Sequence, residues 1–200
     1  MHVGRRRFKS PAIAQQRVLR LLAQGSLDGS QQILQQLAGA QDRQVELILN
    51  MLDYARLEAG KVVPEAVMTD VTLVAEDVVA LLTQLAEQHS VKLRIASEQQ
   101  LVVMVDRTML HTILRNLLTN AIKFSPSDSE VLIRVIDSEV QVIDHGAGFG
   151  SASSEKGTGL GLDICRRFAR LNHAELMIDS EPGKETKVTL HFETKNSKKR

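Results

Sequence analysis

Three short motifs between residues 116 and 162 decide the fold of this chain. They read, in chain order, Asn116-Leu-Leu-Thr-Asn120-Ala-Ile-Lys123-Phe124, Asp144-His-Gly146-Ala-Gly148-Phe149 and Gly157-Thr158-Gly159-Leu160-Gly161-Leu162. Each motif alone is a weak signal, because a solvated Asn on a helix and an isolated Gly-x-Gly turn are both common. The three stand in the order that one pocket requires, with strand and helix patterns between them. Together they predict a site for a purine nucleoside triphosphate with a divalent metal.

The first motif supplies chemistry for a metal and for phosphates. Asn116 and Asn120 are four residues apart on a predicted helix, so both amides lie on one helix face. A carboxamide oxygen is a hard, neutral ligand that suits Mg²⁺, an ion that usually keeps several waters and bridges phosphate oxygens. Lys123, three residues beyond Asn120, can bring positive charge to the phosphates.

The second and third motifs supply contacts for a base and for phosphates. Asp144 directly follows an apolar strand at 140–143, where a buried carboxylate could accept a hydrogen bond from an adenine amino group. Gly146 and Gly148 allow the backbone to pass close to a base or ribose. The turn at 157–161 opens a helix, whose exposed N–H groups favour phosphate. The alternative makes Asp144 a turn cap and the glycines ordinary helix caps.

Composition limits the class of protein. The chain has 200 residues, a net charge of +1, 3% aromatic residues and no Trp, which gives no case for nucleic acid as a partner. A single Cys165 cannot form an internal disulfide, which fits a reducing cytoplasm. No apolar run approaches the roughly 20 residues of a membrane span. We therefore expect a cytoplasmic protein with no nucleic-acid partner and no membrane segment in this chain.

The first domain, residues 1–61, is predicted to be a helical hairpin. Residues 25–29 break the first helix, and the second is expected to run to about Ala59 and to end at Gly60. One set of positions recurs along the second helix by fours and threes, and all but Gln41 are apolar: Leu34, Ala38, Gln41, Val45, Ile48, Leu52, Ala55 and Ala59. Two helices with such a broad seam predict a dimeric four-helix bundle. The alternative is that the hairpin packs on its own globular domain.

Residues 62–195 alternate between helical and strand patterns and precede a basic tail at 196–200. Asp70 is expected to cap a helix through Gln88, with Val71, Val74, Val78, Leu81, Leu82 and Leu85 facing inward. Strands are predicted at 91–95, 101–105, 131–136, 139–143, 175–179 and 186–192, and further helices after Asp106 and after the last glycine motif. The pattern predicts an α+β fold: an α/β sandwich with a mixed sheet and helices on one face.

The three motifs resemble the N, G1 and G2 boxes of the ATP-binding domain of sensor histidine kinases, a superfamily shared with gyrase and heat-shock chaperones. The resemblance extends to Asp53–Lys61, which is similar to the end of the family's dimerisation hairpin. It implies that Asn120 holds Mg²⁺, Asp144 the adenine, and the turn Gly157-Thr158-Gly159-Leu160-Gly161 the phosphates. Hydrolytic relatives carry Glu where Asn116 stands, and an amide cannot take a proton from water, so slow hydrolysis is expected.

Two departures from the family pattern affect the expected activity. Arg6 stands in the slot of the phosphoacceptor His and Arg7 in the slot of its acidic neighbour, and a guanidinium stays protonated at neutral pH. The lid at 150–156 is short and Ser-rich, which could cover ATP poorly.

Three hypotheses remain at this point. The first is a histidine-kinase-like signalling protein that binds Mg-ATP, dimerises through its N-terminal helices and works with a response regulator or another signalling protein, with autokinase activity in doubt. The second is a catalytically degenerate dimeric scaffold, a pseudokinase, that binds a signalling partner without phosphotransfer. The third is a Ser/Thr kinase of the anti-sigma type, against which the hairpin argues.

Overall fold

The computed structural model describes residues 48, 50–60, 62–146, 148, 160–181 and 183–193. The first helix of the predicted hairpin, Arg6, the short lid and the basic tail at 196–200 lie outside the described residues. The chain divides into two compact units, Met1–Leu49 and Asn50–Arg200, and the second contains the whole of the fold below.

The second unit begins with a helix and continues as alternating strands and helices. Residues 50–58, the connecting helix, end in a turn where Gly60 has φ +61°, as the sequence predicts for a helix C-terminus. The elements that follow are β1 (Ala66–Asp70), α1 (Val71–Gln88), β2 (Lys92–Ser97), β3 (Val102–Asp106), α2 (Arg107–Phe124), β4 (Glu130–Ile136), β5 (Glu139–Asp144), α3 (Leu160–Leu171), β6 (Ala174–Glu181) and β7 (Glu185–Phe192).

Helices α1 and α2 begin where the sequence predicts, because an aspartate caps each one. Asp70 Oδ1 accepts hydrogen bonds from the backbone N–H groups two and three residues on, at 2.9 and 3.4 Å. Asp106 Oδ1 does the same at 2.9 and 3.0 Å. Each carboxylate satisfies two of the N–H groups that have no partner within a helix.

Five strands form a mixed sheet in the order β2-β4-β5-β7-β6. Strand β2 is parallel to β4, and the other neighbours are antiparallel. On one face of the sheet Ile133, Val142 and Val188 lie side by side in register and are buried. Apolar residues of all three helices join them in a continuous core. The predicted mixed sheet with helices packed on one face is confirmed.

A second sheet was not predicted. β1 pairs with β3 in a separate antiparallel ribbon, with Met68 opposite Met104. The sequence Ala-Val-Met-Thr-Asp of β1 lacks apolar–polar alternation because the outer face of this ribbon carries exposed methionines, Met68 at 64% and Met104 at 57%. Without that alternation the usual strand signal is missing.

The prediction that Leu81 faces inward is wrong. Leu81 is 59% exposed, although Leu82 beside it is buried. The buried stripe of α1 runs through the small residues Ala75 and Ala86, which turns the helix so that Leu81 lies off its edge. In the part of the chain that the structure describes, no helix is long and apolar enough to cross a membrane.

Candidate functional site

The predicted site residues are distributed over three neighbouring elements. Asn116, Asn120 and Lys123 lie along α2, and Asp144 is the last residue of β5, with Gly146 and Gly148 just beyond it. Leu160 and Gly161 begin α3. Gly157, Thr158 and Gly159 of the same glycine-rich turn lie outside the described residues.

Asp144 is a buried carboxylate at the end of a central strand. It is 6% exposed, and its Oδ1 accepts a hydrogen bond from the backbone N–H of Gly146 at 2.9 Å. Burial raises the pKa of this carboxyl above its ordinary value, and the Gly146 hydrogen bond opposes that rise only in part. No other described residue donates a hydrogen bond to this carboxylate, so it retains acceptor capacity.

Gly146 packs the end of β5 against the end of α2. A Cβ at this position would collide with the backbone carbonyl oxygen of Phe124 and stand 2.8 Å from Asp144 Oδ1. Because backbone cannot give way as a flexible side chain can, glycine is the residue that fits here. The close approach fixes the position of the Asp144 carboxylate relative to α2.

Asn116 meets the start of α3 in the interior. It is 3% exposed, and its Oδ1 lies 3.7 Å from the place that a Cβ on Gly161 would occupy. Its Nδ2 is buried with no hydrogen-bond partner. Leaving a polar group buried and unpaired costs about 1–3 kcal/mol, and folded proteins keep few of them, which makes Asn116 a candidate contact for a ligand.

Asn50, on the connecting helix, reaches the same point and was missed by the sequence analysis. It is 5% exposed, its Nδ2 lies 3.9 Å from the Cβ place on Gly161, and its Oδ1 is buried without a partner. The sequence signal that could have found Asn50 is that it lies outside the predicted dimer seam, which passes through Leu52. Only the fold shows that the other face of this helix turns toward the predicted pocket.

Asn120 and Lys123 continue the Asn116 side of α2 toward its C-terminus, and both are half-buried. Among the described residues, no group of three or more His, Cys, Asp or Glu side chains could hold a metal ion. A Mg²⁺ site of the predicted kind uses one or two protein oxygens together with phosphate oxygens and water, and Asn120 stays a predicted ligand.

Cys165 lies beneath this region and is chemically quiet. It is fully buried, and its Sγ lies 3.8 Å from the carbonyl oxygen of Ile113. Burial raises the pKa of the thiol to about 12. The Asn116 side chain opposes that rise, although its amide nitrogen makes no hydrogen bond of normal geometry to the sulfur. The thiolate is the reactive form of cysteine, so this protonated side chain acts as packing rather than as a nucleophile.

Residues 105–196 match the family model described as histidine kinase-, DNA gyrase B-, and HSP90-like ATPase. Among curated proteins, the histidine protein kinase DivJ of Caulobacter vibrioides is 29% identical over 169 residues, covering 74% of this chain and 28% of that protein. The sensor-like histidine kinase SenX3 of Mycobacterium tuberculosis is 26% identical over 166 residues, covering 72% of this chain and 40% of that protein. This chain thus spans well under half of either relative.

Solved structures share the fold at lower identity. The Acinetobacter baumannii histidine kinase AdeS superposes with a TM-score of 0.68 at 16% identity, covering 94% of this chain and 97% of that one. Full-length ShkA in complex with AMPPNP superposes with a TM-score of 0.66 at 22% identity, covering 81% of this chain and 38% of that one. At these identities the likeness concerns the fold alone.

Proposed function

We propose that this chain is the ATP-binding part of a two-component-type signalling protein, and that it binds Mg-ATP between α2, β5 and α3. The match of residues 105–196 to the histidine kinase-, DNA gyrase B- and HSP90-like ATPase model supports the proposal. One observation carries the proposal: a buried carboxylate, Asp144, is held at a strand end by a glycine contact that leaves it able to accept another hydrogen bond. A base with an exocyclic amino group, such as adenine, supplies the matching donor.

The remaining predicted residues suit the other parts of the nucleotide. The N-terminus of α3, with Leu160 and Gly161, offers backbone N–H groups and the positive end of a helix dipole to phosphates. Gly157, Thr158 and Gly159 would extend this phosphate contact. Lys123 adds a positive charge from the last turn of α2. Gly146 and Gly148 admit the backbone close to the base, and Gly148 has φ +78°.

Asn120 is the proposed protein ligand of Mg²⁺, which when bound would neutralise charge on the phosphate oxygens. Asn116 lies one turn earlier on the same face and has a buried amide nitrogen free of hydrogen bonds. An amide in this position can orient a ligand but cannot deprotonate water, so this chain should hold ATP with little hydrolysis.

The connecting helix supports a dimeric arrangement. Two predicted seam positions are large, apolar and exposed: Leu52 on this helix, at 51%, and Ile48, which precedes it in the chain, at 57%. Exposed apolar side chains in helical register favour burial against another helix, and a second copy of this chain is the proposed partner. A response regulator or another signalling protein is the proposed downstream partner.

Calorimetric titration with a Mg²⁺ complex of a nonhydrolysable ATP analogue tests the nucleotide site. We expect Asp144→Asn to weaken binding about tenfold to a hundredfold, because a hydrogen bond to a charged group contributes about 1.5–3 kcal/mol. Asp179→Asn, a matched change at an exposed carboxylate of β6, should leave affinity unchanged. Equal affinities for Asp144→Asn and the parent would refute the proposed role of Asp144.

A second measurement separates kinase from scaffold. Incubation with γ-labelled ATP, followed by comparison of acid-labile with acid-stable protein phosphate, distinguishes histidine phosphorylation, Ser/Thr phosphorylation and none. Because Arg6 occupies the acceptor slot, we expect no acid-labile phosphate on this chain by itself. Acid-labile label on the chain would restore autokinase activity, and nucleotide binding with no label at all favours the scaffold.

A further inference from the structure

The connecting helix packs one face against the rest of the second unit. Asn50, Asp53, Tyr54 and Leu57 are the buried or half-buried residues between 50 and 58, whereas Met51, Leu52, Ala55, Arg56 and Glu58 are exposed. The spacing of the first group, three and four residues, is one face of a helix. Tyr54 and Leu57 pack against the core. The helix therefore docks by a face distinct from its predicted dimer seam.

Arg167 on α3 contacts the connecting helix at Tyr54 and Glu58. Its Nη1 contacts Glu58 Oε1 at 2.6 Å, its Nε contacts Asp163 Oδ2 at 3.0 Å, and its guanidinium lies 5.0 Å from the centre of the Tyr54 ring. A guanidinium can use its fork for carboxylates and its face for an aromatic ring at the same time. We call this group of four side chains the Arg167 clamp.

The docked helix delivers Asn50 to the candidate nucleotide site. Asn50 Oδ1 is a buried acceptor without a donor, and Asn116 Nδ2 is a buried donor without an acceptor. Both side chains lie within 4 Å of the Cβ place on Gly161, the second residue of α3. The two unpaired atoms are complementary, since one is an acceptor and the other a donor.

From these contacts we propose that Asn50 is a positioning residue for Asn116, and that the Arg167 clamp couples docking of the connecting helix to nucleotide binding. The proposal rests on the proposed ATP site. With the helix docked, Asn50 orients the Asn116 amide before the nucleotide arrives, and pre-organisation of this kind raises affinity. Linkage is reciprocal, so bound nucleotide should in turn favour the docked helix.

A native reporter follows the clamp directly. Tyr54 is the single tyrosine of the chain, and there is no tryptophan, so tyrosine fluorescence lifetime reports on the surroundings of this one ring. Arg167→Met removes the charge, the fork that contacts the carboxylates and the planar face that lies over Tyr54, but it keeps a long, unbranched side chain. Arg166→Met is the matched control, because Arg166 is the exposed neighbour on the same helix and takes no part in the clamp.

The experiment uses the full chain and two measurements. Without nucleotide, we expect Arg167→Met to change the Tyr54 lifetime and Arg166→Met to leave it unchanged. In titrations with the Mg²⁺ complex of the ATP analogue, Arg167→Met and Asn50→Ala should weaken binding about two- to tenfold, as expected for loss of a neutral hydrogen bond. Arg166→Met should match the parent.

Each outcome decides between the two proposals. If Arg167→Met leaves the lifetime unchanged, the clamp does not form in solution and the inference is overturned. If the parent binds the analogue and both Arg167→Met and Asn50→Ala match it, or bind more tightly, the positioning role of Asn50 is overturned while the ATP site stands. If the parent binds no nucleotide, the proposed function fails and the coupling with it, whatever the lifetime shows.

Discussion

Two buried asparagines at opposite ends of α3 behave differently. Asn172, just after the helix, is 7% exposed and fully engaged: its Oδ1 accepts from the backbone N–H of Asp106 at 2.6 Å, and its Nδ2 donates to the carbonyl oxygen of Phe168 at 2.8 Å. Asn116, beside the start of α3, is 3% exposed and leaves its Nδ2 unpaired.

The difference separates a structural amide from one suited to a ligand. Asn172 ties the end of α3 to the N-terminus of α2, and both of its polar atoms are satisfied within the fold. Asn116 is also buried, but its Nδ2 has no hydrogen-bond partner. Because an unpaired buried amide is costly, we propose that Asn116 is retained for a ligand that binds at the start of α3, where Gly161 lies beside it.

The largest expected effect on stability comes from replacing Asn172, the structural member of the pair. Asn172→Ala should lower the free energy of unfolding by about 2 kcal/mol, because the Asp106 N–H loses its acceptor in the interior. Urea denaturation measures this change. Affinity for the ATP analogue should not change. Glu175→Ala, on the exposed side of β6, is the control and should stay within about 0.5 kcal/mol of the parent. If Asn172→Ala also stays within about 0.5 kcal/mol of the parent, Asn172 does not have the proposed structural role.

The matched change at the other asparagine should have the opposite profile. Asn116→Ala removes a donor that has no partner, so the free energy of unfolding should change by less than about 1 kcal/mol, while affinity for the ATP analogue falls about tenfold. The same denaturation and titration experiments measure both. If Asn116→Ala destabilises the protein as much as Asn172→Ala does, both asparagines are structural and the proposed difference between them is wrong.

The smallest effect sharpens the comparison through pH. Burial raises the pKa of Asp144 in the folded protein, so the unfolded chain loses this proton at a lower pH than the folded chain. The favourable contribution is therefore full below the unfolded pKa and is lost as pH rises through the folded pKa. Asp144→Asn lacks this titration. As pH rises through that window, the free energy of unfolding of Asp144→Asn should increase relative to that of the parent. Urea denaturation measures this difference, and a difference that does not change with pH would argue against a raised pKa.

Local sequence signals predicted the elements that local chemistry controls. Asp70 and Asp106 precede helices that they cap, and Asp137, with φ +45°, and Gly183, with φ +78°, lie in the two predicted hairpin turns. The ribbon of β1 and β3 was missed in part, because β1 is a five-residue strand that exposes Met68. Its strand character depends on the partner that it finds in β3.

The candidate site was predicted by residue type and completed by the fold. Asn116, Asp144 and Gly146 were named from spacing, yet spacing could not show that Gly146 packs against the Phe124 carbonyl oxygen or that Asn116 has an unpaired nitrogen. Asn50 was absent from the sequence-based site, because it lies 66 positions before Asn116 in the chain and no periodicity relates the two helices.

The sequence by itself determined the order of helices and hairpins, the caps and the three motifs, because each depends on residues within a few positions of one another. Only the tertiary structure decided which face of the connecting helix docks, through Arg167, and which buried amide remains unpaired. Those outcomes depend on contacts between distant segments, where burial and the presence of a partner set the energy of a polar group.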